Sequence, residues 1–376
     1  MDQIVLVVDD DKRIAFGLGS GLEEPGRRVI VCNDVESADL ILEELPVTHV
    51  LTDIKFGGAF GFEGLQVIDL VRRKVPTASI IAMSGEATPA LREEAKARGA
   101  EELLRKPFSL DDLSALIPPP DGNGEGELTF VPTIDDIVGT GDLLTTYFQP
   151  IVWTERPDEI VGFEALSRLK SASPLAHPEL LFRYGASKKR LPDLELAAAK
   201  SALRNGRELT RTGFLSINVH PELFAHGDRL CDELLDCAAD VDISPSRLVV
   251  EITEQGPLPA VETVAAVCAT LRAAGARIGF DDIGSAYSHL RAIAVAHPSY
   301  LKISQHFGTS CENNPTNRKI VENIESLARS FSCEVVLEGI ETAATAAFAR
   351  DMGIRFGQGF FYGAPADAET QLARLR

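Results

Sequence analysis

Short apolar runs that end in a chemically capable side chain recur along the whole chain. In the first third, Ile4-Val-Leu-Val-Val8 stops at Asp9-Asp10-Asp11 and Val50-Leu-Thr-Asp53 ends in a carboxylate. Ile80-Ile-Ala-Met-Ser84 ends in a hydroxyl, and Leu103-Leu-Arg-Lys106 in an ammonium before Pro107. The first run has no alternation, as expected of a central parallel strand covered on both faces. Between the runs, Leu65-Gln-Val-Ile-Asp-Leu-Val71 places apolar residues at helical spacing. Strands alternating with helices predict a doubly wound α/β domain that binds ligands at strand carboxyl ends. There Asp9, Asp10 and Asp53 would hold one Mg²⁺, with Ser84 and Lys106 nearby. The simpler role for Asp9 to Asp11 is to start a helix.

The pattern returns in the second half. Val161-Gly-Phe-Glu164, Leu248-Val-Val-Glu251 and Val335-Val-Leu-Glu338 end in carboxylates, and Leu215-Ser-Ile-Asn218 and Phe356-Gly-Gln358 in amides. Tyr300-Leu-Lys302 ends in an ammonium, and Ile278-Gly-Phe280 runs into Asp281 and Asp282. From Asn218 onward the spacing, roughly twenty to forty residues, suits successive units of a β/α barrel, whose strand ends ring one mouth. Neighbouring side chains on a regular strand face opposite ways, so Asp281 and Asp282 converge only if the chain turns; Gly284 permits such a turn. The paired carboxylates suit a divalent cation or, alternatively, the cap of the next helix.

Between the halves, Pro118-Pro-Pro-Asp-Gly-Asn-Gly-Glu-Gly-Glu127 reads as a linker, stiff at its prolines and solvated beyond them. A helix is expected from Asp135 to Thr145, leading into the barrel at Tyr147-Phe-Gln-Pro-Ile-Val152, and an alanine-rich helix from Leu191 to Lys200. His220 is expected to be structural, and Phe360-Phe361-Tyr362 to pack in the barrel wall.

Composition narrows the function. The 376 residues carry a formal charge of −19, which argues against DNA binding through phosphates. An anionic substrate must therefore be met by bound cations and a few local basic groups. No apolar run is long enough for a membrane span, and Met1-Asp-Gln lacks a basic leader. The six cysteines form no CxxC pair, so reduced thiols and a cytoplasmic location are expected.

Residues 140–376 resemble an EAL-domain cyclic di-GMP phosphodiesterase. The resemblance rests on Glu164-Ala-Leu166, Asn218, Glu251-Ile-Thr-Glu254, Asp281-Asp282, Leu301-Lys302-Ile303, Glu338-Gly-Ile-Glu341-Thr342 and Gln358-Gly359, in the family's order. Residues 1–117 are similar to a response-regulator receiver domain, strengthened by Lys106-Pro-Phe108, with 118–139 as linker. The receiver resemblance implies that Asp53 is the phosphoacceptor, served by a histidine kinase or small phosphodonor. It also implies that Asp9 and Asp10 supply the cation site while Ser84 and Lys106 respond to the phosphoryl group. The EAL resemblance implies that Gln149, Leu166, Arg168 and Gln358 contact cyclic di-GMP, that Glu341 anchors the loop carrying the Asp pair, and that the protein is a homodimer. Glu164, Asn218, Glu251 and Asp281 form a hard oxygen set suited to Mg²⁺ or Mn²⁺, and Asp282 and Glu338 would complete a second site with Asp281 bridging. Two ions about 4 Å apart would activate a water for attack on phosphorus, giving linear pGpG, with Lys302 orienting it or neutralising charge. Ca²⁺, with longer bonds and more ligands, is expected to bind and inhibit.

Four departures from the families stand out. The segment after Asp53, Ile54 to Phe62, is long and glycine-rich, and Leu103 stands where receivers carry an aromatic switch residue. In the barrel, Ser304 replaces an Asp and is expected beside Lys302, and Ala286 replaces a Gly in the Asp-pair loop. The rival function is a degenerate EAL domain that senses cyclic di-GMP without cleaving it.

Overall fold

The structure is a computed structural model describing residues 3–56, 61–120, 124–284 and 290–375. By contact the chain forms two units, Met1–Leu143 with Leu169–Leu191, and Leu144–Arg168 with Pro192–Arg376.

The first unit contains strands β1 (Gln3–Val8), β2 (Arg27–Cys32), β3 (His49–Asp53), β4 (Ser79–Ser84), β5 (Glu102–Arg105) and β6 (Glu127–Phe130). They form one parallel sheet in the order β5-β4-β3-β1-β2-β6. Every residue of β1 is buried, as its unbroken apolar run requires. Helices Lys12–Leu22 and Leu110–Ser114 pack together, while Val35–Glu44, Glu63–Lys74 and Pro89–Arg98 pack in series, giving the doubly wound arrangement. Residues 127–130, expected within the 118–139 linker, are instead the sixth strand of this unit, and the helix expected from Asp135 to Thr145 is Ile134–Thr140. The local sequence hid this because β6 is held by partners remote in the chain: it pairs with β2, and Phe130 stacks on Phe16 at 5.3 Å. Pro118 is also tied down: its carbonyl accepts from Gln3 Nε2 (3.0 Å) and from the buried Arg27 Nη2 (2.9 Å).

The second unit is a closed barrel of β7 (Leu144–Trp153), β8 (Ile160–Leu169), β9 (Phe214–Val219), β10 (Leu248–Ile252), β11 (Arg277–Ile283), β12 (Tyr300–Ile303), β13 (Glu334–Leu337) and β14 (Phe356–Gln358). From β8 to β14 neighbours pair in parallel, but β7 runs antiparallel to β14. The first strand is therefore not a β/α repeat. Inside, residues two apart share a face. Phe214, Val249, Tyr300, Val336 and Phe356 form an apolar floor with Ile151, and Glu251, Lys302, Glu338 and Gln358 stand two residues further on. Arg277, on the same face of β11 as Asp281, stacks over Phe214 at 4.7 Å and donates to the Tyr300 hydroxyl at 2.5 Å.

Helix Leu191–Gly206 buries Glu195, and burial pushes its carboxyl up to about 8 although it accepts from the His220 backbone N–H. In the unfolded chain this acid ionises near 4.3. Between the two values the unfolded state loses the proton first, so stability falls as pH rises through that window. Glu195→Gln should accordingly gain at least about 1 kcal/mol over wild type at pH 8 relative to pH 4.5. Chemical denaturation at the two pH values measures it; an equal difference at both would show that Glu195 does not titrate on unfolding.

Candidate active site

The barrel mouth gathers the strand-end residues around one ammonium. Lys302 is fully buried, with Nζ 2.7 Å from Glu338 Oε1, 3.0 Å from Glu164 Oε2 and Asp281 Oδ1, and 3.2 Å from Glu251 Oε2. None of these contacts has hydrogen-bond geometry at Nζ. Glu164, Glu251 and Asp281 each offer an oxygen within 4.8 Å of the others. Asn218, the register partner of Glu251, donates from Nδ2 to Glu164 Oε1 at 2.7 Å and leaves its buried Oδ1 unpartnered. Gln358 donates to Glu164 Oε2 and, at 3.0 Å, to Gln149 Oε1. The antiparallel course of β7 is what brings Gln149 to the end of β14.

Charge at this site is unbalanced. Four largely buried carboxylates face a single buried ammonium. Burial pushes Glu251 up to about 8 and Asp281 to about 6, and raises Glu338 well above the carboxylate range, in each case against the pull of Lys302. Burial acts the same way on Glu164, but Lys302 and the amides of Gln358 and Asn218 outweigh it and hold that carboxyl low. Burial alone would depress Lys302; Asp281, Glu164, Glu251 and Glu338 keep it protonated. Buried oxygens without hydrogen-bond partners on Asn218, Glu251 and Asp281, all hard donors, fit a divalent cation.

The two aspartates of β11 do not run on as a regular strand. The pairing with β12 shifts between Phe280 and Ile283, and Asp282 itself takes a left-handed φ of 54°, followed by Gly284 at 97°. The turn therefore starts two residues before the expected hinge, Gly284. Asp281 joins the buried group, whereas Asp282 is half-buried and outside it.

A second carboxylate group lies at the ends of β1 and β3. Asp9, Asp10 and Asp53 bring oxygens within 4.8 Å of one another. Lys106 Nζ is 2.6 Å from Asp9 Oδ2 and 3.4 Å from Asp53 Oδ2, while Asp53 Oδ1 is buried without a partner. Burial raises both Asp9 and Asp53, and Lys106 opposes it. Asp11 alone caps the following helix, accepting from the N–H groups of Arg13 and Ile14. Gly64 lets that end of β3 pack closely: a Cβ there would lie 1.8 Å from the Asp53 carbonyl oxygen. Ser84 is fully buried and bonded to the Glu86 backbone.

Residues 137–365 match the EAL domain family, and residues 5–118 the response regulator receiver domain. The chain belongs to the EAL-domain family. Its receiver precedes the EAL domain in the same order as in the cyclic di-GMP phosphodiesterase RocR of Pseudomonas aeruginosa, which is 26% identical over 97% of this chain and 96% of its own. A structure of Pseudomonas aeruginosa MucR phosphodiesterase in complex with c-di-GMP is 27% identical, covering 61% of this chain and 99% of that one, at a TM-score of 0.54. Klebsiella pneumoniae BlrP1, solved with manganese and c-di-GMP, is 25% identical over 60% of this chain and 57% of its own, at a TM-score of 0.53.

Other residues of the EAL domain depart from what the sequence implied. Ser304 lies past the end of β12, where its hydroxyl caps helix Gln305–Gly308 and accepts from His306 N–H. It is a helix cap, not a companion of Lys302. Phe360 and Phe361 are exposed and only Tyr362 packs, so the wall reading fails for the first two. Glu341 is exposed and has no ion pair or hydrogen bond among the described residues; the segment it would anchor, including Ala286, lies outside them, as do residues 57–60 after Asp53. His220 is structural: Nδ1 accepts from Glu222 N–H and Nε2 meets the Gln255 carbonyl. Leu166 is half-buried on β8. Arg168 forms no ion pair among the described residues and stacks over Tyr147 at 5.4 Å. Tyr147 was not foreseen; its signal is the two-residue offset from Gln149, which puts both on one face. The six cysteines are free and buried, and no helix among the described residues is long and apolar enough to cross a membrane.

Proposed function

We propose that this protein hydrolyses cyclic di-GMP to linear pGpG at the barrel mouth, under the control of phosphorylation at Asp53. The observation that carries this reading is the set of Glu164, Asn218, Glu251 and Asp281 at the strand ends, with buried oxygens of the last three left unpartnered, in the family's order. Those four residues would hold one Mg²⁺ or Mn²⁺, with Asp282 and Glu338 on the side of a second. Such ions, when bound, lower the pKa of an attacking water and offset charge on the phosphate. The chain's own groups do the rest. Gln358 and Asn218 fix both oxygens of Glu164. Lys302 holds positive charge beside the reacting centre, where it favours the more anionic transition state. Arg168, half-buried and free of carboxylate partners among the described residues, presents a guanidinium suited to a substrate phosphate, and Gln149 and Leu166 line the same mouth. Ser304 caps helix Gln305–Gly308, and its replacement of the family's Asp leaves every proposed cation ligand in place. A cytoplasmic homodimer is the expected form, with a histidine kinase or small phosphodonor supplying the receiver.

The test follows cyclic di-GMP and its product by chromatography. Mg²⁺ and Mn²⁺ should support turnover, whereas Ca²⁺ should permit binding with a rate lower by about a hundredfold or more, because its longer bonds misplace the water. Tight binding without product in Mg²⁺ or Mn²⁺ would leave only a sensor. At the receiver, Asp53→Asn should abolish labelling by a small phosphodonor, since Asp53 sets one oxygen toward Lys106 and leaves its other, buried oxygen without a partner. Persistent labelling of that variant would move the phosphoacceptor elsewhere.

A further inference from the structure

Residues 169–191 lie inside the EAL match, between β8 and helix Leu191–Gly206, yet they group by contact with the receiver. Helix Pro178–Ser187 accounts for this by packing on helix Val35–Glu44. Its Tyr184 is fully buried and donates its hydroxyl to Asp34 Oδ2 at 2.6 Å, while the Tyr184 hydroxyl oxygen accepts from the Ile134 backbone N–H. Lys188 Nζ adds contacts to Glu36 Oε2 at 3.1 Å and Asp34 Oδ2 at 3.6 Å. Arg183 pairs with Glu43 at 2.8 Å, an exposed bridge that contributes little. The phenol–carboxylate bond is different, because breaking it strands a buried polar group.

Asp34 is also wired to the phosphorylation pocket. Its other oxygen caps helix Val35–Glu44, accepting from Ser37 N–H at 2.8 Å. The preceding residue, Asn33, donates from Nδ2 to the Asp9 carbonyl at 2.7 Å. Asp9 in turn holds Lys106, which also reaches Asp53. The connection thus runs from Asp53 through Lys106, Asp9, Asn33 and Asp34 to Tyr184. At its far end, Leu169 follows Arg168 directly in the chain.

We propose that segment 169–191 is the output element of the receiver, through which phosphorylation of Asp53 acts on the barrel. This rests on the phosphorylation control proposed above. A phosphoryl group on Asp53 competes with Asp9 for the Lys106 ammonium. Any resulting shift of Asp9 changes the hold of Asn33 and Asp34 on Tyr184 and Lys188. The segment so released or tightened continues into the strand that carries Glu164 and Arg168. Leu103, buried in β5 without an aromatic ring, leaves the usual rotamer switch without its side chain.

The experiment uses the full chain with and without beryllofluoride, reading cyclic di-GMP hydrolysis, with Asp53 labelling in parallel. In wild type the rate should change by about fivefold or more in one direction, as a coupling of ordinary size requires. In Tyr184→Phe and in the partly exposed Lys188→Ala, the change should shrink to less than about twofold, with labelling and basal rate retained. Hydrogen exchange across residues 178–187 should respond to beryllofluoride in wild type and not in Asp53→Asn. A full response in both variants, or unchanged exchange in this helix while the rate changes, overturns the proposal. A wild type that labels at Asp53 without any change in rate overturns phosphorylation control itself, a different and recognisable failure.

Discussion

Glu251→Ala should reduce hydrolysis by roughly three orders of magnitude or more, because it removes a charged ligand from a site that has no substitute. The side chain is almost fully enclosed and its Oε2 lacks a hydrogen-bond partner. Its neighbours across the strands are Asn218 and Gly279, neither able to supply a negative charge. The fold should tolerate the loss: three carboxylates would then face Lys302 instead of four, and like-charge crowding falls. A thermal melt at wild-type level combined with absent turnover and weakened Mn²⁺ binding by calorimetry is the expected result. Glu251→Gln keeps the shape and one neutral oxygen, so it should bind Mn²⁺ between the two. Turnover in Glu251→Ala above about a tenth of wild type would remove Glu251 from the cation site.

Lys302→Met should do the opposite to the fold. Methionine matches the length of the stem but leaves Glu164, Glu251, Asp281 and Glu338 with no positive partner. Removing one side of a buried charge cluster costs about 3–5 kcal/mol. In chelator the variant should therefore unfold well below wild type, and Mg²⁺ or Mn²⁺ should recover much of the difference by supplying the missing charge. Turnover should fall about a hundredfold or more with a smaller change in KM, since the ammonium acts most strongly where negative charge grows. Equal stability of variant and wild type in chelator would show that protonation of the acids, not Lys302, balances the site.

Much of this site was legible along the chain, for a local reason. A barrel strand whose inward face changes from apolar to ionisable over two residues signals both its direction and its mouth. Val249 and Glu251, Tyr300 and Lys302, and Phe356 and Gln358 each show that change. The same logic found Asp9 and Asp53 at the ends of β1 and β3. The sequence left Asp9 to Asp11 with a helix start as the alternative to a cation site; the structure divides the labour, with Asp11 capping and Asp9 and Asp10 beside Asp53.

What a run of residues determines by itself is its period, its punctuation and the chemistry at its end. These determined the doubly wound sheet, the barrel and the ring of oxygen donors, because side-chain alternation is a property of neighbours in the chain. Partners remote in sequence decided the rest. Only pairing with β14 shows that β7 runs against the others and delivers Gln149 to the mouth. Only pairing with β2 turns Glu127–Phe130 from a linker into a strand. Ser304 had the right offset from Lys302, but the strand ends at Ile303 and its hydroxyl closes a helix instead. Tyr184 sits 150 residues from Asp34, and their buried hydrogen bond draws a segment of the barrel's sequence into the receiver. Each of these outcomes depends on which surfaces meet, and the free energy of a contact is absent from either segment alone.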